Sequence, residues 1–300
     1  MKLSLGLLGM EALTGGDFAA LRDLVALADK KGVDQVSAVD HVIMGEAHDE
    51  YPYGPFRGAS RTPFLEPLVE LATYAAATTN IRLSSGVVIS PLRPAVTLAK
   101  QLATLDVLSR GRVEIGFGVG WQSAEYAACG VEFESRFSIL EEQIRVCRAL
   151  WGGTNVSFRG QHVAFDNMTA MPHPVQGAKL PIWLGVALKR RNIERIAELC
   201  DGWLPMERDR ARLKLQIDAL RRAFEERGRD PGELQVRAGY EIIRGSDGRT
   251  DVAATLAQTQ DYAAAGVTML RLESRRFCRR LEDFEAFLER AIQAKEAKTA

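Results

Sequence analysis

Apolar positions alternate between two spacings almost from end to end of the chain. Strand-length runs occur at Leu3–Leu8, Asp34–Val39, Ile81–Ile89, Arg112–Phe117, Pro181–Leu184, Gly202–Leu204, Leu234–Ile243 and Val267–Glu273. Between them lie longer stretches in which apolar residues recur every three or four positions, the period of a helix with one buried face. In the first, Asp17–Lys31, residues Phe18, Leu21, Leu24, Val25 and Ala28 share a face, and Gly32 suits the left-handed cap that follows a helix. The same spacing predicts helices over Phe64–Thr79, Ala95–Leu108, Ser123–Ala128, Ser135–Trp151, Leu188–Leu199, Arg208–Arg227, Asp251–Ala265 and Leu281–Ala294. Strands alternating with helices imply a parallel sheet in the α/β class. Eight such units fit a closed (β/α)8 TIM barrel better than a doubly wound sheet, which usually has fewer strands and a composition break that this chain lacks. Residues 1–300 therefore read as a single domain.

Two stretches depart from the rhythm. Residues 40–63, "DHVIMGEAHDEYPYGPFRGASRTP", make a long connection rich in Tyr, Pro, Gly and charge. Such connections in compact folds are commonly lids or binding loops, the plain alternative being a surface excursion. Residues 152–179 contain "VSFRGQHVAF", where Arg159-Gly160-Gln161 is placed to turn a small hairpin, and are expected to form an insertion near the C-terminal face of the strands, over the barrel mouth.

Composition narrows the function. Lys and Arg (39) balance Asp and Glu (39), so no global field gathers nucleic acid or acidic lipid. The apolar start of the chain lacks the basic flank and length of a signal peptide, and no apolar run approaches a membrane span, so a cytoplasmic location is expected. Cys129, Cys147, Cys200 and Cys278 lie far apart, without metal or redox spacing, and are expected to be reduced thiols. No metal is expected. Neither GxSxG nor HExxH occurs, which leaves hydrolase readings without support.

In a barrel of this kind chemistry gathers where strands end. Asp40 and His41 stand side by side at the second strand's exit, where a histidine can carry a proton and an adjacent acid can orient it; loop capping is the structural alternative. His48 and His162 read as solvated, and His173, in "PHP", as a turn residue. "GFGVGW" places glycines at 116, 118 and 120, which differs from the dinucleotide fingerprint but lets a flat ring or phosphate approach the backbone, as does Gly86. After the fifth strand, Lys189, Arg190 and Arg191 fall in the first turn of a predicted helix, where the macrodipole disfavours cations. An anion there would reconcile them, with Gly185 freeing the backbone; a solvated face balanced by Glu194 and Glu198 weighs equally. A second cluster, Arg275, Arg276, Arg279 and Arg280, holds either an acidic tail or surface pairs with Glu282 and Asp283. Trp121, Tyr126, Trp183 and Trp203 either line a ring pocket or pack in the core.

"RLSSGVVISPLRPAVTLAKQLATLDVLSRGRVEIGFGVGW", with "VDHVIM", "PIWLGV" and "CDGWLP", resembles the bacterial luciferase-like monooxygenase superfamily over nearly the whole chain. "YPYGPFRGASRTPFLEPLVELA" is similar to a subgroup using the deazaflavin coenzyme F420 rather than FMN. The resemblance implies a barrel that binds a flavin-type ring at the strand ends. His41 would sit by the reactive face, assisted by Asp40. Gly86, Val87 and Val88 would form a bulge under the ring, in several relatives with a non-prolyl cis peptide. Gly118, Val119, Gly120 and Trp121 would flank the cofactor side chain. Gly185, Val186, Ala187 and Leu188 would offer amides to its phosphate beside Lys189 and Arg190. Relatives oxidising sugar phosphates or secondary alcohols carry a tryptophan and a glutamate where this chain has Gly45 and Trp121, so their substrates are not carried over. The expected activity is hydride transfer between the deazaflavin C5 and a small organic substrate. The alternatives are an FMN-dependent monooxygenase fed by a separate reductase, and a non-catalytic cofactor-binding protein. A homodimer is the expected assembly.

Overall fold

The computed structural model describes residues 1–46, 51–52 and 61–296. Its strands are β1 (Lys2–Gly6), β2 (Gln35–Ala38), β3 (Arg82–Ser85), β4 (Val88–Ile89), β5 (Val113–Gly118), β6 (Val156–Arg159), β7 (Ala164–Met168), β8 (Ile182–Gly185), β9 (Gly202–Trp203), β10 (Gln235–Gly239) and β11 (Met269–Glu273). Its helices are α1 (Ala20–Lys31), α2 (Pro67–Ala77), α3 (Ala95–Leu108), α4 (Ser123–Ala128), α5 (Arg136–Gly152), α6 (Arg190–Leu199), α7 (Arg210–Glu225), α8 (Val252–Ala257), α9 (Thr259–Ala264), α10 (Ser274–Phe277) and α11 (Asp283–Glu296).

All strands except β6 and β7 run parallel in the order β3-β2-β1-β11-β10-β9-β8-β5-β4, and β3 pairs with β5 to close the ring. With β3 and β4 as two halves of one interrupted strand, the result is the eight-stranded (β/α)8 barrel that the periodicity predicts. Local chemistry moves some boundaries. Pro67 takes the first turn of α2, and the Glu66 carboxylate accepts the Val69 N–H at 2.8 Å, so that helix starts after Phe64. The helix expected over 251–265 breaks at Gln258, whose side-chain amide donates to the Glu241 carbonyl at 2.8 Å. Gly32 caps α1 with φ 86°, as its residue type suggests.

The hairpin forms as β6 and β7, closed by Gly160 N–H on the Val163 carbonyl. Its tip packs on α5, where Glu142 accepts the His162 N–H at 2.9 Å and Ser138 contacts the His162 ring. None of residues 152–179 lines the central pocket, although the hairpin tip packs near the start of α5, beside the pocket-lining Arg136 and Phe137. Gln176 bonds Asp106 and the Val113 carbonyl at the N-terminal end of β5. His173 lies in the irregular segment before Pro174, its Nε2 3.1 Å from the Gly153 carbonyl. The four cysteines are unpaired, and no helix among the described residues is long and apolar enough to cross a membrane.

The barrel interior carries a polar layer. Arg237, 3% exposed, donates to Gln35 Oε1 (2.5 Å), Ser84 Oγ (3.1 Å) and the Ser85 carbonyl (2.7 Å). Gln35 in turn donates to Glu114 at 2.7 Å, and Arg82 pairs with that carboxylate. A buried charge persists only when so surrounded. Above this layer the strand breaks at Gly86 and Val87, joined by a cis peptide. A Cβ at Gly86 would stand 2.7 Å from Arg237 Nη2, so a larger residue would have to displace that guanidinium from its hydrogen bonds. The Val87 side chain packs with Trp183, Leu204 and Met269 and wedges between β5 and β8. A Cβ at either Gly118 or Gly185 would collide with Val87.

Gly118→Ala should therefore cost about 1–3 kcal/mol through overpacking, and Val87→Ala in the same chain should return at least about 0.5 kcal/mol of it, read from urea midpoints in a double-mutant cycle. On the outer flank, burial raises the Glu70 carboxyl to about 7 against the lowering effect of the Tyr74 hydrogen bond, with the Glu11 and Glu66 charges adding to the rise. The folded protein keeps this proton where the unfolded chain has lost it. Stability from Glu70 is thus greatest below the unfolded value of about 4.3 and is lost as pH rises through about 7. Glu70→Gln should flatten that decline between pH 5 and 8 in urea titrations.

Candidate functional site

A cavity of about 2180 Å³ opens at the C-terminal ends of the barrel strands. That exceeds the roughly 300–1,000 Å³ typical of a single small ligand, leaving room for two molecules side by side. Its walls differ in chemistry.

The first wall holds His41, at the exit of β2. The His41 Nδ1 lies 3.0 Å from Glu125 Oε2 on α4, and the Glu125 side chain is fully buried. Glu125 Oε1 accepts the N–H of Val42 at 2.7 Å and of Ile43 at 3.4 Å. With backbone donors converging on it, the carboxylate acts as acceptor toward the imidazole as well, which favours the tautomer with the proton on Nδ1. Gln122, three residues earlier, accepts the Gly45 N–H at 2.8 Å and donates to its carbonyl at 3.2 Å. The start of α4 therefore grips the segment after β2 at two points. Phe64 and Trp121 meet the imidazole edge-on, at 4.9 and 5.8 Å between centroids, and Tyr51 meets Trp121 at 5.3 Å.

Asp40 does not orient His41. Its carboxylate accepts the Ile89 N–H at 2.8 Å and forms a two-toothed pair with Arg93, at 2.6 and 3.1 Å; Arg93 also reaches Glu66. The acid that serves His41 is Glu125, which the sequence reading passed over. Its signal was present in "WQSAEYAACG", as a glutamine and a glutamate three apart in the first turn after the fourth strand.

The second wall is the floor expected for a ring. Gly86, Val87, Ile89, Val119, Gly120 and Trp121 line it, with Gly120 at φ 61° against Ile89. Val88 and Gly118 do not line it. Val88 is wholly buried, and Gly118 acts by leaving space for Val87. Trp183, Trp203 and Tyr126 pack in the core; Trp203 donates to the Val186 carbonyl and Tyr126 to that of Val119.

Gly185, Val186 and Ala187 continue the floor to the start of α6, while Leu188 stays off the pocket. Lys189 is the extended residue before the helix rather than part of its first turn. Arg190 is exposed and pairs with Glu194 at 3.3 Å, but Glu198 pairs with Arg145 instead. Lys189 and Arg191 make no ion pair among the described residues, so the helix start keeps uncompensated positive charge facing the cavity.

The third wall comes from β9 to β11 and their exits and was largely missed. Arg208, Arg237, Arg271, Arg275 and Arg276 line it with Glu207 and Glu273. Burial and the neighbouring Arg271 charge push the Arg237 guanidinium down to about 9, against the pull of Glu114. Burial alone would raise Glu273, yet Arg271, Arg276 and Arg208 together hold it below the usual glutamate range. Of the four arginines after the last strand, Arg279 and Arg280 turn outward to Asp247 and Asp283. His162 is exposed, and His48 lies outside the described residues.

Comparison with known proteins agrees with this geometry. A family model described as luciferase-like monooxygenase matches residues 3–299. An uncharacterized Mycobacterium tuberculosis protein is 39% identical over 145 residues, 48% of this chain and 51% of the relative, so the match spans about half the length of that protein. An FMNH2-dependent dimethylsulfone monooxygenase of Pseudomonas fluorescens is 32% identical over 149 residues, 49% of this chain and 40% of the relative. The structure of an F420-dependent secondary alcohol dehydrogenase superposes with a TM-score of 0.76 at 16% identity, covering 99% of this chain and 100% of that one, a likeness of fold. A closed parallel barrel with a broken third strand, and a family match over nearly all residues, place this chain in the luciferase-like monooxygenase family.

Proposed function

We propose that the chain is an F420-dependent oxidoreductase that moves a hydride between the deazaflavin C5 and a small organic substrate. The observation that carries this reading is the pairing of His41 with a buried Glu125 beside an apolar platform at Val87. The residues present fit a flavin-type group: the Gly86–Val87 platform, which glycines at 118 and 185 keep narrow, suits a flat ring. The start of α6, with Lys189 and Arg191 unpaired, suits a phosphate. When bound, the deazaflavin supplies a carbon that accepts or donates hydride and scarcely reacts with oxygen.

The chain's own residues do the rest. Glu125 holds the Nδ1 proton, leaving Nε2 of His41 to take a proton from the substrate or return one to it. Val87, Ile89 and Val119 support the ring from the barrel side. Phe64 and Trp121, the latter backed by Tyr51, flank the imidazole and keep bulk water from it. Asp40 and Arg93 tie β2's exit to β4, which keeps the platform and the histidine in register.

An FMN-dependent monooxygenase, drawing reduced flavin from a separate reductase, is the second reading. The resemblance to the Pseudomonas dimethylsulfone enzyme favours it. Parallel titration with F420 and FMN, read by tryptophan and cofactor fluorescence, separates the two. Tighter F420 binding without oxygen uptake supports the proposal, FMN preference with oxygen uptake moves the chain to the second reading, and binding of neither overturns both. His41→Ala should lower turnover by about 10²–10⁴-fold with cofactor affinity nearly unchanged. Glu125→Gln should lower it by about 10–100-fold, on the scale of lost orienting partners, and move the pH profile of kcat; an unaltered profile would show that Glu125 does not set the state of the imidazole.

A further inference from the structure

The third wall carries more positive charge than the fold uses. Glu273 is the carboxylate shared by Arg208, Arg271 and Arg276, and Arg276 pairs with it directly. Arg208 and Arg271 form no ion pair among the described residues. Glu207 does not compensate Arg208, because its Oε1 accepts backbone N–H groups at 208 and 209 and its other oxygen faces Arg212.

Arg271 is also short of acceptors. Its Nε is buried without a partner, and its Nη1 meets the Gly86 carbonyl only at 3.5 Å. Arg237, one strand away, uses its donors on Gln35, Ser84 and Ser85. The two arginines therefore differ: buried Arg237 is satisfied by the barrel, and half-buried Arg271 presents unspent N–H groups. An unsatisfied buried donor costs stability unless something else supplies the acceptor.

The strands make room for these guanidiniums. A Cβ at Gly6 would lie 3.3 Å from Arg271 Nε, one at Gly86 3.2 Å from its Nη1, and one at Gly239 3.7 Å from Arg208 Nε. The head of Arg271 thus reaches from β11 past β1 to the platform strand. It ends beside Gly86, next to the residue proposed to carry the ring.

We propose that Arg208, Arg271 and Arg276 form an oxyanion site that grips the substrate, so that the molecule turned over here is a small organic acid or phosphate ester rather than a neutral compound. Guanidinium forks match the two oxygens of a carboxylate or phosphate. The start of α6, on the β8 side, already offers the cofactor phosphate its own cations, and a cavity of about 2180 Å³ leaves space for a second anion-bearing molecule. The substrate assignment rests on the oxidoreductase reading; the anion site does not.

The test uses the cofactor-free protein carrying Lys189→Gln and Arg191→Gln, which silences the α6 cations. Inorganic phosphate and succinate are titrated calorimetrically at low salt, with dimethyl succinate as the neutral control. Binding of phosphate, succinate or both, but not of the diester, is expected, and the preferred oxyanion names the class. Arg208→Gln, on a half-exposed loop where the fold does not depend on it, should weaken that binding at least tenfold, and Arg271→Gln should do the same with an unchanged circular dichroism spectrum. No binding of either anion, or binding indifferent to Arg208→Gln, overturns the proposal. So does a parallel tenfold loss of F420 or FMN affinity in Arg208→Gln alone, since the wall would then hold a cofactor tail. If neither cofactor binds at all, the oxidoreductase reading fails while the anion titration still decides the site.

Discussion

Val87 can sit in the mouth of this barrel only because the strands on either side carry no side chains at Gly118 and Gly185. That steric condition organises the pocket. It interrupts the third strand after Ser85, lets β4 resume pairing at Val88 and Ile89, and leaves a flat apolar shelf where an ordinary barrel would have filled its top layer. The polar layer beneath, centred on Arg237 and Glu114, supports the shelf from below. Glu114 is paired with Arg82 and Arg237 spends its donors on neutral oxygens, so the layer acts as a rigid base rather than as a reactive group.

Around the shelf the cavity divides by chemistry. An aromatic corner holds an imidazole whose protonation is arranged by one buried carboxylate. A helix start opposite supplies positive charge that Glu194 balances only at Arg190, and a third wall supplies guanidiniums with too few acceptors. The N-terminal face is different in kind. There Asp29 accepts the N–H groups of Thr79, Asn80 and Ile81, and Arg112 donates to the carbonyls of Ala75, Thr78 and Ile81. Those bonds are saturated and serve to anchor the start of β3. Unsaturated polar chemistry is concentrated at the other end of the same strands.

The architecture was legible in the sequence because it is written in periodicity, and periodicity survives the loss of side-chain detail. The strand-exit glycines and His41 were legible for a related reason: they fall at boundaries that the pattern locates. Direction was not legible. Asp40 and His41 are neighbours in the chain, but consecutive residues leaving a strand face opposite ways, so their side chains part, one to Arg93 and one to Glu125. Arg237 and Arg271 left a trace as single charges inside apolar, strand-length runs, "LQVRAGY" and "MLRLE", which a stricter reading would have flagged as inward-facing. Arg208 left none, since a charge ahead of a helix looks like any solvated residue until the fold brings it to Gly239.

The grip of α4 on the segment after β2 has a consequence for how such a barrel diversifies. Gln122 and Glu125 bind Gly45, Val42 and His41 from one short helix, and that helix follows directly from Trp121 on the ring floor. The imidazole and the adjoining pocket floor are thus mechanically one part. Arg208 and Arg276 of the outer wall stand on other elements, in the exits after β9 and β11. Substitutions can redraw the charge of that outer wall while the contacts that α4 makes with the segment after β2 stay as they are.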